Sequence, residues 1–274
     1  IAQGRRLKQA GEDIAAYAAR FGDDRQDRAV ASPSTAFEEV RDFFYARHNY
    51  IDELDRAAEA VAGEMGLPLG RMAAAIAQRL EERHGLRLAA LDVADGAGVQ
   101  RRFDPATGTL RLSPQLQPGQ RAFQMATQLA FLEQGGLIDG LAARGAFTSE
   151  EAQGLARIGL ANYFAGALIL PYAPFLEAAE RRRYDIELLG GAFGTGFETI
   201  CHRLSTLQRA GARGVPFFFI RVDRAGNISK RQSATDFHFS RFGGTCPLWN
   251  VYDAFSPPGR ILPQVAEMPD GRAY

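Results

Sequence analysis

The sequence predicts an α+β protein that is mostly helical, with a small sheet in its middle and a β-containing module at its C-terminal end. Apolar residues recur at helical spacing through much of residues 35–207, short alternating segments bounded by turn residues occupy residues 86–114, and a hairpin pattern begins near residue 216. With 274 residues, 46% of them hydrophobic and 23% charged, the chain is large enough to bury a core and is neither disordered nor fibrous in composition.

The N-terminal segment is expected to be helical. Residues 5–21 place apolar side chains roughly on one face of a helix, and the polar residues 22–34 are typical of a linker. Thr35 and Glu38 form a T-x-x-E capping box. A long helix is therefore predicted to begin there and to continue to about Met65.

A small sheet is predicted in the middle of the chain, after a helix over about residues 69–82. Residues 86–93 alternate as a strand does, and residues 99–114 contain two short alternating segments around the turn residues DPATGT, which predicts a hairpin. A buried helix is predicted over residues 120–134 and another, very apolar, over residues 149–170.

The C-terminal part combines a helical pair with a hairpin. Residues 184–207 follow a pattern of helix, Gly-rich turn and helix, which is only loosely similar to a helix-turn-helix. Residues 216–222 and 228–234 flank the turn DRAGN and form the clearest hairpin pattern of the sequence. We expect a helical linker at residues 1–33, a helical domain at residues 34–210 and a β-containing module at residues 211–274.

Composition excludes several classes of function. The 32 basic and 32 acidic residues balance, so a stand-alone DNA-binding module is not indicated. The apolar stretch at residues 167–176 contains Pro171 and Pro174 and is too short for a bilayer, so we expect no membrane anchor. Two distant cysteines, Cys201 and Cys246, fit a reducing cytoplasm better than a secreted disulfide framework, and we expect no signal peptide.

The middle of the chain resembles the ImmA/IrrE-type metallopeptidase domain, through a strand, a hairpin ending in LRLSP, the helix QRAFQMATQLAFLE and a later helix ending in ANYFAGALILP. In active members the first helix carries H-E-x-x-H, which binds zinc and activates its water. Thr127, Gln128 and Phe131 stand at these motif positions, and Leu160 stands where a third, carboxylate ligand is expected. The resemblance therefore implies a zincin-like pseudo-peptidase domain without a zinc site and without peptidase activity.

A degenerate catalytic cavity can still bind a small molecule. We expect Thr127, Phe131, Tyr163 and Phe164 to line a cavity that holds a small apolar group, with a hydroxyl to orient it. For Tyr163 the alternative is a core tyrosine whose hydroxyl has an internal partner.

A narrower resemblance covers nearly the whole chain. The segments RDFFYARHNYIDELDRA at residues 41–57, RIGLANYFAGALILPY at residues 157–172 and the long segment at residues 201–255 resemble the short-chain fatty acyl-CoA regulators. This family implies an N-terminal helix-turn-helix that binds operator DNA, a core that binds acetyl-CoA, propionyl-CoA or a related acyl-CoA, and a Cys-rich C-terminal end. We expect the sequence to be a fragment that lacks both ends, with a GAF-like fold as one form of its C-terminal module.

Binding of CoA needs clustered cations for its phosphates and an apolar or aromatic surface. On the hairpin, Arg221, Lys230 and Arg231 are candidates, with ordinary solvated charge as the alternative. A second group of candidates falls near one face of the predicted long helix: Arg41, Tyr45, His48 and Asp52, with Arg47 and Tyr50 beside that face. The alternative is a helix that packs through its aromatic residues, with its arginines in water.

No metal site or catalytic cofactor is predicted. Cys201, His202, His238 and Cys246 lack the C-x-x-C spacing of zinc sites, and Trp249 is expected in the core, with stacking on adenine as the alternative. Three functions remain open: an acyl-CoA sensor, a CoA-thioester-processing enzyme or residual hydrolase, and a dimerisation scaffold. The sensor is favoured, as a homodimer, since regulators of palindromic operators are usually symmetric dimers.

Overall fold

The structure, a computed structural model, describes residues 35–66, 69–92, 98–225, 228–235, 250–251, 253–265 and 267. The helix predicted over residues 5–21, the linker after it, and His238, Cys246 and Trp249 lie outside these residues. Within them the fold is rich in helices with two small sheets, as the α+β prediction required.

The predicted capping box is confirmed, but the prediction of one long helix is wrong. Helix α1 spans Ala36–Tyr45, and its start is capped by reciprocal bonds between Thr35 and Glu38. Helix α2 begins only at Asp52 and spans Asp52–Glu64. Between them His48 and Asn49 adopt left-handed backbone conformations, with φ of 48° and 56°. Asparagine tolerates this conformation better than most residues. The side chain of Asn49 also donates to the hydroxyl of Ser205, which holds the turn in place.

A third helix and a three-stranded sheet follow. Helix α3 spans Met72–His84 and ends at Gly85, whose φ of 63° suits glycine. The strands are β1 (Arg87–Ala90), β2 (Arg101–Asp104) and β3 (Thr109–Leu112), in the order β1–β3–β2. Strand β3 pairs parallel with β1 and antiparallel with β2, so both the predicted strand and the predicted hairpin are confirmed.

The core is built from helices that pack on a central, apolar one. Helix α4 spans Pro118–Glu133, α5 spans Gly135–Ala143 and α6 spans Glu150–Ile169. Helix α6 packs against α1, α2, α4 and α5, and Leu160, Phe164 and Leu168 on it are fully buried. Gly159 lets α1 approach closely, since a Cβ there would lie 2.9 Å from the ring of Phe44.

Three further helices lead to the C-terminal module. Helices α7 (Tyr172–Arg181), α8 (Ile186–Phe193) and α9 (Phe197–Leu204) follow, with the turn between α8 and α9 at the predicted place. Among the described residues, no helix taken singly has the length and apolar character to cross a membrane. The pair α6 and α7, bent by 62°, reaches that length and composition together, and its apolar residues lie largely in the core.

The C-terminal module contains the predicted hairpin. Strands β4 (Phe218–Val222) and β5 (Ile228–Ser233) pair antiparallel, with Arg221 opposite Lys230. Strand β5 also packs against α1. A short 3₁₀ turn spans Asp253–Phe255. The described residues of this module do not confirm a GAF-like fold.

Candidate functional site

A buried ion pair joins α2 to α9. The carboxylate of Asp55 accepts hydrogen bonds from both terminal nitrogens of the Arg203 guanidinium, at 2.5 and 3.1 Å. Asp55 is 0% exposed and Arg203 is 3% exposed. Arg203 Nε also donates to the carbonyl of Leu170 at 2.8 Å. Burial lowers the pKa of Arg203, but the adjacent Asp55 carboxylate outweighs this and raises it. The guanidinium therefore stays charged within the core.

Tyr163 is hydrogen-bonded to this ion pair. Its hydroxyl donates to Asp55 Oδ2 at 2.5 Å and accepts from the backbone N–H of Ile51 at 3.0 Å. Burial, and then the negative charge of Asp55, raise the pKa of Tyr163 well above its usual value. The hydroxyl is thus occupied by internal partners, as the alternative interpretation of Tyr163 expected.

A second polar cluster lies near the first. Arg209 donates to the hydroxyl of Tyr50 at 2.9 Å and to the carboxylate of Glu59 at 2.6 Å, and it stacks over the ring of Tyr172 at 4.1 Å. Tyr50 in turn donates to Asp52 at 2.6 Å. Tyr50 is therefore held by α2 and by the segment after α9.

The hairpin cations converge, but on a carboxylate. Glu198 of α9 accepts from Lys230 at 2.8 Å and from Arg221 at 3.1 Å, and it lies 3.3 Å from His202 Nε2. The hydrogen bond with His202, assisted by Lys230 and Arg221, lowers the pKa of Glu198 far below its usual value although burial acts to raise it. Arg231 lies on β5 opposite Ile220, and its side chain is outside the described part of the structure. We call Glu198, His202, Arg221 and Lys230 the hairpin cluster.

An open apolar recess of about 380 Å³ borders the hairpin cluster. Its lining includes Phe197, Phe219, Val222, Val251 and Phe255. Phe197, at the start of α9, is 51% exposed. A flat apolar ring can be accommodated on such a surface, next to charged groups.

Hydrogen bonds tie the hairpin cluster to the corner between α1 and α2. His202 Nδ1 bonds Gln232 of β5 at 2.5 Å. The hydroxyl of Ser205 lies 3.3 Å from Gln232 Oε1 and accepts from the side chain of Asn49 at 2.9 Å. The side chains of Gln232, Ser205 and Asn49 therefore connect the hairpin to the left-handed corner.

The residues expected at the peptidase motif positions lie in the core or pack against it. Thr127 is 2% exposed, and its hydroxyl donates to the carbonyl of Phe123 at 2.9 Å and lies 3.3 Å from Asn162 Oδ1. Gln128 and Leu160 are buried, Phe164 is fully buried, and Phe131 is partly buried against the core. Thr127 and Tyr163 do not converge, because Asn162 extends toward α4 while Tyr163 extends toward α2.

The candidates on α1 are separated from Tyr50 by the break in the helix. Arg41 bonds the adjacent Asp42 at 3.3 Å, and Tyr45 is 37% exposed. The expected single face with His48 and Asp52 is therefore wrong, because the chain turns between α1 and α2. Arg41 and Tyr45 still share one face of α1, four residues apart.

Sequence reasoning missed Asp55, Arg203 and Arg209. A signal for Asp55 exists, since it lies on the helix face formed by Ile51, Leu54 and Ala58, where a carboxylate requires a partner. Within the described residues no group of three or more His, Cys, Asp or Glu side chains is arranged to hold a metal ion.

The fold and the sequence together define an IrrE-like helical domain followed by a regulator module. Residues 81–205 match the IrrE N-terminal-like domain, and residues 206–274 match the family described as short-chain fatty acyl coenzyme A regulator, C-terminal. The chain belongs to the short-chain fatty acyl coenzyme A regulator family, which confirms the resemblance seen in its sequence.

Named relatives are transcription regulators. The chain is 54% identical over 275 residues to the "HTH-type transcriptional regulator PrpR" of Mycobacterium tuberculosis, covering 100% of this chain and 56% of that protein. It is 47% identical over 270 residues to the "Propionyl-CoA carboxylase regulator" of Cereibacter sphaeroides, covering 98% and 56%. A solved structure titled "Mycobacterium tuberculosis transcriptional regulator" is 57% identical, with a TM-score of 0.83 over 88% of this chain and 73% of that one. The chain spans about half the length of the curated relatives it matches.

Proposed function

We propose that this chain is the effector-sensing part of a bacterial transcription regulator that binds a short-chain acyl-CoA, with propionyl-CoA or acetyl-CoA as effector, and controls genes of acyl-CoA metabolism. The match of residues 206–274 to the acyl-CoA regulator family carries the proposal. The name of the Cereibacter relative, which refers to propionyl-CoA carboxylase, supports the metabolic context.

The hairpin cluster suits the phosphates of CoA. In the proposed complex, phosphate oxygens bind Arg221 and Lys230, with Arg231 as a third cation, and so compete with Glu198 for the same donors. The adjacent recess then accommodates the adenine ring on Phe197 and Phe219.

Competition between the phosphates and Glu198 for Arg221 and Lys230 gives the effector different affinities for two arrangements, which a switch requires. When Glu198 loses Lys230 and Arg221, the contact between α9 and the hairpin weakens. The change passes through Gln232, Ser205 and Asn49 to the corner after α1, and directly to α1 through its packing against β5. Among the described elements, helix α1 is the nearest in sequence to the N-terminal segment.

The acyl group and the pantetheine arm are assigned to the helical domain. The residues proposed to contact this part of the ligand are Arg41, Tyr45, Tyr50, Thr127, Phe131, Tyr163 and Phe164. Thr127 and Tyr163 already have internal partners, so contact with a ligand requires those bonds to rearrange. Phe131 is partly exposed and needs no such change, and Tyr50 is partly exposed but its hydroxyl is bonded to Asp52 and Arg209.

For the whole protein we propose a cytoplasmic homodimer that binds operator DNA through a helix-turn-helix, as the name of the PrpR relative indicates for that protein. Enzyme activity is not proposed, because Thr127, Gln128, Phe131 and Leu160 provide none of the zinc ligands that the peptidase motif requires. No catalytic cofactor is proposed either.

The melting temperature of the chain tests the proposal when measured with acetyl-, propionyl- and butyryl-CoA and with free CoA, since a ligand that binds only the folded state must stabilise it. A shift that peaks at one acyl length supports the sensor and identifies its effector. Release of free thiol from the thioesters would instead support the enzyme. No shift with any compound would overturn the proposal.

A further inference from the structure

Arg101 is a buried cation without a counter-charge among the described residues. It begins strand β2 and is 8% exposed. Its single hydrogen bond there runs from Nη1 to the backbone carbonyl of Gln124 on α4, at 3.2 Å. A guanidinium carries several N–H donors in a planar fork, so most of its binding capacity is unused.

The other buried arginine among the described residues provides the contrast. Arg203 is 3% exposed and is neutralised by two bonds to Asp55. For Arg101, burial lowers the pKa to about 10, with no charged group to raise it again. At neutral pH the side chain still carries its proton. Among the described residues no carboxylate neutralises this largely buried cation, so an added anion could pair with it.

The surroundings of Arg101 lie on one face of α4. Gln124, Thr127 and Phe131 follow at helical spacing, and the guanidinium carbon lies 6.0 Å above the ring of Phe131. Gln124 and Phe131 are partly exposed, so this face of α4 carries two solvent-accessible side chains near Arg101. A ligand in contact with Phe131 would lie near the guanidinium.

We propose that Arg101 binds an anionic group of the effector, either a phosphate of CoA or a carboxylate on the acyl group, against the α4 face that carries Gln124 and Phe131. The fork of the guanidinium matches two oxygens of either group. Because this inference rests on the proposed acyl-CoA function, its test includes an arm that does not need an acyl-CoA.

The test compares the wild-type chain with Arg101→Met and with Arg87→Met. Arg87 is an exposed arginine on β1 of the same sheet, so its replacement controls for the loss of one positive charge. Binding of propionyl-CoA is measured by calorimetry, and melting temperature is measured without ligand. If Arg101 binds a phosphate of CoA, we expect Arg101→Met to weaken binding of propionyl-CoA by about 10- to 100-fold, the usual effect of a charge-assisted hydrogen bond. If Arg101 binds an acyl carboxylate, the same loss is expected with methylmalonyl-CoA, because propionyl-CoA has no acyl carboxylate. Its melting temperature without ligand should equal or exceed that of the wild type, whereas a purely structural arginine would lower it.

Two further ligands identify the anion. If a phosphate of CoA binds Arg101, S-propionyl-pantetheine, which lacks all phosphates, binds wild type and Arg101→Met equally. If an acyl carboxylate binds there, methylmalonyl-CoA binds the wild type more tightly than propionyl-CoA does, and Arg101→Met removes the difference. Should Arg101→Met fail to fold, Arg101→Lys keeps the charge, loses the fork and is expected to show the same weakening in smaller degree.

The outcomes separate this inference from the proposed function. If the wild type binds propionyl-CoA, and Arg101→Met binds both propionyl-CoA and methylmalonyl-CoA as tightly as the wild type does, the role of Arg101 is refuted while the sensor stands. If the wild type binds no acyl-CoA, the sensor is refuted, and titration with inorganic pyrophosphate and with succinate decides on Arg101. Stabilisation by one of these anions that is lost in Arg101→Met supports the anion site, and equal behaviour of the two proteins overturns it.

Discussion

Replacing Asp55 with asparagine removes the counter-charge of Arg203 and keeps the size of the side chain. The structure predicts a large effect because the pair is buried and bidentate, with exposures of 0% and 3%. Removing one partner of such a pair costs about 3 to 5 kcal/mol, since the other charge is left buried alone. For a chain of this size the loss corresponds to a drop in melting temperature of roughly 6 to 20 °C.

Denaturant unfolding measures the loss, and Glu53→Gln is the matched control. Glu53 is an exposed carboxylate on the same helix and pairs with Arg144 at 3.2 Å, so its replacement should change stability by about 0 to 1 kcal/mol. The double variant Asp55→Asn/Arg203→Met no longer buries a lone charge and should be more stable than Asp55→Asn. A loss below about 1 kcal/mol in Asp55→Asn, or a double variant no more stable than it, would refute this reasoning.

Three other variants test the remaining contacts. Tyr163→Phe should lose about 1 to 3 kcal/mol, because Asp55 loses a donor within the core; unfolding in urea measures this, and a neutral result would contradict the network. Asn49→Gly should be more stable than Asn49→Ala, since both lose the bond to Ser205 but glycine tolerates a φ of 56°; equal melting temperatures would show that the corner is not strained. Glu198 has a lowered pKa, so its pairing stabilises the fold above the ordinary pKa of a glutamate, and this contribution declines as pH falls through the lowered value. The stability gap between wild type and Glu198→Gln should therefore be full at neutral pH and narrow in acid, and a gap independent of pH would be inconsistent with the hairpin cluster.

Local signals in the sequence were sufficient for much of the fold. The capping box at Thr35, the turn residues of both hairpins and the helices around residues 120–134 and 149–170 all depend on neighbours within a few positions. Each of these predictions is confirmed. The break between α1 and α2 was missed because apolar spacing continues across it, and the contact that fixes Asn49 lies on Ser205, far along the chain.

The candidate site was harder to predict for the same reason. The hairpin pattern correctly predicts that Arg221 and Lys230 lie close together on two strands. The carboxylate of Glu198, which pairs with both, comes from a helix that precedes the hairpin in the sequence. Pairing across elements also decides that Asp55 meets Arg203. Such pairs depend on how helices pack, which periodicity does not encode.

Equilibrium dialysis of the chain against propionyl-CoA, with free CoA as the parallel compound, tests whether this chain is an acyl-CoA sensor. We expect saturable binding of one propionyl-CoA per chain, tighter than that of free CoA and weakened when Arg221 and Lys230 are both replaced by methionine. Absence of saturable binding, or equal binding of propionyl-CoA and free CoA, would contradict the assignment of this chain as an acyl-CoA sensor.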